Sequence, residues 1–309
     1  MTTHANLTVT GAAFRQSSSP HGANPCSSSA SVSLLWKYTL VVSICLLIIG
    51  ISGVRAEENA NATSVVGTNS AVPPVVNPVH YRVHVLERKP FDPDNFVQGL
   101  EFHNNHLYVS SGLYGKSAIR RYTWPELALD TDKSLPDHLF AEGLTRLGER
   151  LLVLTWRARQ LLILNRSSLE LVGSVKLPGE GWGITHHGNT VYFSDGSHRL
   201  FHFNAAGEGS LAVIEVTLAG KPVNRLNELE WIDGEIWANV WQTDTIVRID
   251  PVSGHVTGVI NLAGLLPKSD YLPGTDVLNG IAQHPDTGDI WVTGKRWPAL
   301  FRVSLEPVD

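Results

Sequence analysis

The sequence predicts an all-β chain, a five-bladed β-propeller closed by an N-terminal strand and preceded by a disordered tail and one hydrophobic segment. Three observations lead there. A polar or aromatic residue followed by Gly or Glu and then Leu or Ile recurs as Gln98-Gly99-Leu100, Glu142-Gly143-Leu144, Trp182-Gly183-Ile184, Asn227-Glu228-Leu229 and Asn279-Gly280-Ile281, at spacings of 44, 40, 45 and 52. After each anchor come short runs of alternating polarity separated by Gly, Asn and Asp, which is how antiparallel hairpins read. No helical periodicity of any length interrupts them. A repeat of about 40 to 50 residues with four strands per copy is the pattern of propeller blades.

From the N-terminus, residues 1–37 read as a disordered cytoplasmic tail, because their Ser, Ala, Thr, Asn and Gly cannot bury enough apolar surface to order them. Residues 38–54, Y-T-L-V-V-S-I-C-L-L-I-I-G-I-S-G-V, carry no charge and are flanked by Lys37 and Arg55. Two readings compete for this segment: an uncleaved type II signal anchor, and a signal peptide cleaved after V-R-A at Ala56. Both place the rest of the chain in the secretory pathway. With Arg15 and Lys37 on one side and Glu57 and Glu58 beyond the other, the tail stays cytoplasmic and the remainder is luminal or extracellular. The sequons Asn61-Ala62-Thr63 and Asn165-Arg166-Ser167 become usable there. Residues 55–79 read as a linker, and residues 80–309 as the propeller.

Within the repeats, second runs such as H-L-Y-V-S, L-L-V-L-T and E-I-W-A-N and third runs such as A-I-R-R-Y, Q-L-L-I-L and T-I-V-R-I follow each anchor. S-L-E-L-V-G-S-V-K-L and H-V-T-G-V-I-N-L supply fourth strands. The fifth copy ends at Leu305 without one, and Tyr81 to Leu86 is the strand expected to complete it by pairing the two chain ends. A β-sandwich fits the single strands but does not predict five equivalent repeats.

A formal charge of -5, with no cluster of Lys and Arg, gives no attraction for polyanions, so no nucleic-acid partner is expected. Cys26 and Cys45 are the only cysteines, and both precede the repeats, so neither a disulfide nor a Cys-ligated metal holds the folded part. The histidines lack partners at metal-ligand spacing, and no metal or cofactor is expected.

In a propeller the first strand of each blade faces the axis, so one repeat position forms a ring. The anchors put Gln98, Glu142, Trp182, Asn227 and Asn279 on that ring. Gly112, Trp156, Gly196, Trp241 and Lys295 fall on a second ring, and Phe96 and Phe140 stand two places before an anchor. One carboxylate, one amine, three amides and three tryptophans then converge at one mouth, the usual make-up of a small-ligand site. Trp231, Trp237 and Trp291 lie outside these registers and are assigned to packing, whereas Trp297 fits either role.

The motifs F-V-Q-G-L, F-A-E-G-L-T, L-T-W, E-G-W-G-I-T, Y-F-S-D-G-S, L-N-E-L-E-W-I-D-G-E-I-W-A-N-V-W-Q-T-D, L-N-G-I-A and V-T-G-K-R-W-P resemble the plant and bacterial type of glutaminyl-peptide cyclotransferase, in order, from about residue 80 to 305. The resemblance implies a five-bladed propeller that converts the N-terminal glutamine of peptides and proteins to pyroglutamate with release of ammonia, without catalytic zinc. It carries pocket roles over to Phe96, Gln98, Phe140, Glu142, Trp156, Trp182, Asn227, Trp241 and Lys295. The chain departs from the pattern in having no cysteine pair in the catalytic part and in its N-terminal segment. A monomer anchored through that segment is expected.

Cyclisation needs a base for the α-amine and an acid for the departing nitrogen, and one carboxylate can serve both. Glu142, the only acid on either ring, is the candidate for that shuttle. Lys295, Asn227 and Gln98 are the candidate donors to the oxyanion, with the choice among them left open. The tryptophans would fold the short side chain and exclude water. The competing readings are a non-catalytic propeller that binds peptide or glycan termini, and a hydrolase or lactonase, which would need an acid cluster that the rings do not offer.

Overall fold

The computed structural model describes residues 77–207 and 209–308; the expected tail, hydrophobic segment and most of the linker lie outside the described residues. The described residues are all-β, with one turn of 3-10 helix at Lys268–Asp270. No helix among the described residues is long and apolar enough to cross a membrane.

Strand β1, Val79–Pro90, is followed by five antiparallel meanders. The first comprises β2 (Val97–His103), β3 (His106–Ser111), β4 (Ala118–Thr123) and β5 (Leu129–Ser134). The second comprises β6 (Ala141–Leu147), β7 (Arg150–Thr155), β8 (Gln160–Asn165) and β9 (Leu171–Lys176). The third comprises β10 (Ile184–His187), β11 (Thr190–Ser194), β12 (Arg199–Asn204) and β13 (Ala212–Glu215), after which β14 (Thr217–Leu218) and β15 (Lys221–Pro222) form a small hairpin. The fourth has β16 (Leu226–Ile232), β17 (Glu235–Val240), β18 (Thr245–Ile249) and β19 (Val256–Asn261). The fifth has β20 (Leu278–Gln283), β21 (Ile290–Gly294) and β22 (Ala299–Val308), and β1 is its outer strand. β1 runs antiparallel to β22 from His80 opposite Val308 to Pro90 opposite Ala299, longer than the expected Tyr81–Leu86. Its start also pairs in parallel with β19, Val79 opposite Gly258 to Arg82 opposite Asn261, so the fourth and fifth meanders merge into one eight-stranded sheet.

The first strands touch in a cycle: β2 meets β6, β6 meets β10, β10 meets β16, β16 meets β20, and β20 returns to β2. Sequence accounts for this layering. First and second strands such as V-Q-G-L-E-F-H and R-L-L-V-L-T are buried almost throughout, whereas the edge strand L-D-T-D-K-S is polar and largely exposed. Its Asp130, Asp132 and Lys133 take ionic partners, which blunts the open edge.

The core is five clusters, one at each junction between meanders. Ile119 of the first packs with Leu144, Leu151 and Val153 of the second. Leu154 then packs with Ile184 and Phe193, and Leu200 with Leu229 and Ile236. Trp237 and Ile246 pack with Ile281 and Phe301, and Trp291 and Leu300 close the circuit onto Val97 and Leu107. Each such side chain contributes about 1.5–3 kcal/mol of burial, so junctions rather than staples hold the fold. Where the first strands meet, they approach too closely for side chains. A Cβ on Gly183 would lie 1.9 Å from the carbonyl oxygen of Asn227. Glu228 stands where the other four repeats have glycine. Its buried carboxylate accepts the N–H of Ile281 at 2.9 Å and of Leu100 at 3.4 Å, joining the fourth meander to the fifth and first.

Candidate active site

The anchors reach one mouth because each first strand is irregular there. The pairing register shifts between Val97 and Gly99, Ala141 and Leu144, Leu226 and Leu229, and Leu278 and Ile281, releasing the anchor residue from the ladder. An extra residue at such a bulge re-aims its side chain. In the third meander, β10 begins only at Ile184, and Trp182 is held ahead of it by donating its N–H to the carbonyl of Ser194. A second recurrent bond ties the rings together. The N–H groups of Gly112, Trp156, Trp241 and Lys295 donate to the carbonyls of Phe96, Phe140, Arg225 and Val277, each two places before an anchor.

These devices bring Phe96, Gln98, Phe140, Glu142, Trp156, Trp182, Asn227, Trp241 and Lys295 onto one cavity of about 280 Å³. Its aromatic wall falls into two groups. Phe96 meets Phe140 edge-on at 6.3 Å, Phe140 meets Trp156 at 5.5 Å, and Trp182 meets Trp241 edge-on at 5.4 Å. The glycines of the second ring make room for it, since a Cβ on Gly112 would strike the Phe140 ring and one on Gly196 the Trp182 ring. Asn279 departs from the expected ring. It lies fully buried and donates from Nδ2 to the carbonyl of Val97 and to Oε1 of Gln98. Gln98 is thereby fixed with Nε2 as the donor it can offer.

Glu142 and Lys295 are each 5% exposed. Burial pushes the Glu142 carboxyl well above its usual range, with Glu180 adding to the shift and Lys295 opposing it. Burial also lowers the Lys295 ammonium, against the pull of Glu142 and Asp276, and its Nζ lies 5.0 Å from the Phe96 ring centroid. Asn227 is 2% exposed, and its Oδ1 has no hydrogen-bond partner among the described residues. Among the described residues no group of three or more His, Cys, Asp or Glu is placed to hold a metal.

A carboxyl whose pKa burial raises, sharing an aromatic cavity with an amine and amide groups, is equipped to move protons at a small polar group. Comparison with known proteins agrees with that chemistry. The family model described as glutamine cyclotransferase matches residues 56–305. The chain belongs to the glutamine cyclotransferase family. It is 38% identical over 229 residues to the glutaminyl-peptide cyclotransferase of Arabidopsis thaliana, covering 72% of this chain and 71% of that one. The crystal structure of Myxococcus xanthus glutaminyl cyclase superposes with a TM-score of 0.69 at 34% identity, over 75% of this chain and all of that one.

Gln242, Asp276 and Val277 also line the cavity of this family member, and sequence reasoning missed them. It missed Glu180 as well, whose Oε2 accepts the indole N–H of Trp156 at 2.7 Å and of Trp182 at 3.2 Å. A signal was present. Glu180, Arg225 and Val277 occupy the position two before an anchor, the register that singles out Phe96 and Phe140. Trp297 is buried and donates to the carbonyl of Asp276, so it packs behind the site. Trp237 and Trp291 are core residues. Trp231, half-buried, stacks on His187 beside a separate cavity lined by Glu101, Arg146, His186 and Glu230.

Proposed function

We propose that this cavity converts the N-terminal glutamine of peptides and proteins to pyroglutamate and releases ammonia, with Glu142 as the proton shuttle. The chain is a glutaminyl cyclase, an acyltransferase. The α-nitrogen forms a bond to the side-chain carboxamide carbon, and the bond from that carbon to the amide nitrogen breaks. Glu142 takes one proton from the attacking amine and hands it to the departing nitrogen, which leaves as ammonia. A carboxylate is normally too weak a base for an amine; burial strengthens it here, which favours uptake of the amine's proton, and the departing nitrogen, once tetrahedral, is basic enough to draw that proton from the carboxyl. The oxyanion takes its donor from Lys295, with Nε2 of Gln98 as a second. Asn227 Oδ1, buried and unpartnered, suits an N–H of the substrate. Trp156, Trp182 and Trp241 with Phe96 and Phe140 hold the glutamine folded, a near-attack geometry worth several kcal/mol on the order of those measured for intramolecular reactions. No metal or other cofactor enters this scheme.

The reading is carried by the presence of Glu142 and Lys295 on one aromatic-walled cavity. It is tested by incubating the protein with a Gln-initiated peptide, following ammonia release and the matching mass loss, and repeating with Glu142→Gln. Parent-level turnover in that variant would remove Glu142 from the role.

Support for five blades comes from the five meanders, the cycle of first strands and the five junction clusters. In that reading residues 80–309 form a monomeric propeller with β1 as its closing strand. The hydrophobic segment 38–54 delivers it to the secretory pathway, as a type II anchor or as a cleaved signal, with Asn165 as a glycosylation acceptor on the luminal side. Mass determination of the mature N-terminus separates the two.

A further inference from the structure

Four arginines on segments that carry lining residues of the cavity have no carboxylate within 4.0 Å among the described residues: Arg157, Arg159, Arg225 and Arg296, of which Arg157 and Arg225 set their side chains against the lining residues Trp156 and Gln242. Elsewhere the protein neutralises its arginines. Every other one among the described residues, apart from Arg150, is ion-paired, including Arg120 with Asp132, Arg166 with Glu149 and Arg248 with Glu235.

The four are tied to the site. Arg157 lays its guanidinium 4.1 Å from the centroid of the Trp156 ring. Arg159 donates its N–H to the carbonyl of Trp156. Arg225 accepts the N–H of Trp241 on its carbonyl, and its Nη1 donates to Oε1 of Gln242 at 3.3 Å. Arg296 directly follows Lys295. Two repeat registers supply three of them, Arg225 two places before an anchor, and Arg157 and Arg296 one place after the second ring. Arg159, Arg225 and Arg296 adopt φ of 54°, 67° and 59°, left-handed backbone that costs an L-residue free energy and gathers at functional sites. Arg157, Arg159 and Arg225 are exposed, so their charges face solvent and whatever crosses the mouth.

Inside this rim acids outnumber the one amine, Lys295. Glu142 and Asp276 line the cavity, and Glu180 holds two of its indoles. A peptide enters amine first, so its amine meets acids while the residues behind it pass the arginines. An extended chain advances about 3.3 Å per residue, which puts the second to fourth residues within roughly 10 Å of the first. Resting on the cyclotransferase reading, we infer that the arginine rim selects peptides carrying acidic residues directly after the N-terminal glutamine.

The test compares three peptides of equal length, with Glu-Asp-Glu, Ala-Ala-Ala or Lys-Lys-Lys after the glutamine, on the wild type, on the Arg157→Glu/Arg225→Glu pair and on the neutral Arg157→Gln/Arg225→Gln pair. The ratio of kcat/KM between peptides is read within each protein, which removes any general loss of activity. The wild type is expected to favour the acidic peptide over the neutral one about fivefold, the effect of two partly screened charge pairs, mainly through KM. Salt should shrink the ratio. It should fall to about one in the neutral pair and below one in the reversed pair. Turnover of all three peptides at equal kcat/KM, or a ratio that survives charge reversal, overturns the rim inference alone. No ammonia from any peptide overturns the cyclotransferase reading and the rim's role with it.

Discussion

Glu142 and Lys295 share one cavity, each almost fully buried, yet no ion pair forms between them. An ion pair would hold the carboxyl ionised and its basicity low. Kept apart, the two groups shift in opposite directions, the acid upward and the amine downward. Such a pair can exchange a proton with a substrate at little cost.

Glu142→Gln should lower kcat by about 10²- to 10⁴-fold, the usual worth of a positioned acid-base group, and leave the melting temperature near that of the parent. Lys295→Met should lower kcat by about 10²- to 10³-fold through loss of an oxyanion donor. Single-turnover ammonia release together with thermal melts distinguishes these losses from unfolding.

The two charges beside Glu142 should move the pH profile in opposite directions. With Glu142 in the proposed role, kcat/KM should rise with pH as it loses its proton. Glu180 raises that pKa, so Glu180→Gln should shift the rising part of the profile to lower pH. Lys295 lowers it, so the residual activity of Lys295→Met should rise at higher pH than the parent's. Identical midpoints in both variants would contradict the assignment. Glu180→Ala should also raise KM, because the indoles of Trp156 and Trp182 lose their common acceptor.

Gly183→Ala should destabilise by on the order of 3 kcal/mol or more, since its Cβ meets the backbone carbonyl of Asn227 rather than a side chain that can turn away. Gly173→Ala, with nothing within 4 Å of the added atom, is the control and should change stability by about 0.5 kcal/mol at most. Denaturant melts of both variants read the difference directly.

Stability should fall as pH rises above about 6.5. Glu101 is pushed up to about 7 by burial, and burial holds Glu228 and Glu230 well above the usual carboxylate range. Above their unfolded values the native chain binds more protons than the unfolded one, so stability declines with pH. His103 and His186, lowered to about 4 by burial, act in the opposite sense, but only up to their unfolded value of 6.5. Above that pH the histidines add no further slope; Glu142 reinforces the decline and the lowered Lys295 ammonium opposes it. Melting curves between pH 6.5 and 8 should show the decline, and Glu230→Gln should flatten it.

Much of the site was legible because a repeat converts distance along the chain into proximity. Once the anchors were aligned, Gln98, Glu142, Trp182 and Asn227 fell together without any coordinates, and the fourteen-residue offset added Trp156 and Trp241. Asn279 had the right register and the wrong orientation, because which way an amide turns depends on the acceptors nearby, here Val97 and Gln98. Glu180 and Asp276 were missed for a related reason. Both lie on connections into the first strands, where no pleat fixes direction and only the fold decides what they face.

By itself, then, the sequence determined the strand periodicity, the repeat and the family, since these follow from local polarity and from spacing along one chain. Tertiary structure alone decided three things: the parallel pairing of β1 with β19, the acceptor shared by two indoles, and the line between the arginines neutralised on the sheets and those left free at the mouth. Each of these depends on how side chains and strands meet in space, across separations as long as that between β1 and β19, and burial together with the cycle of first strands sets those distances.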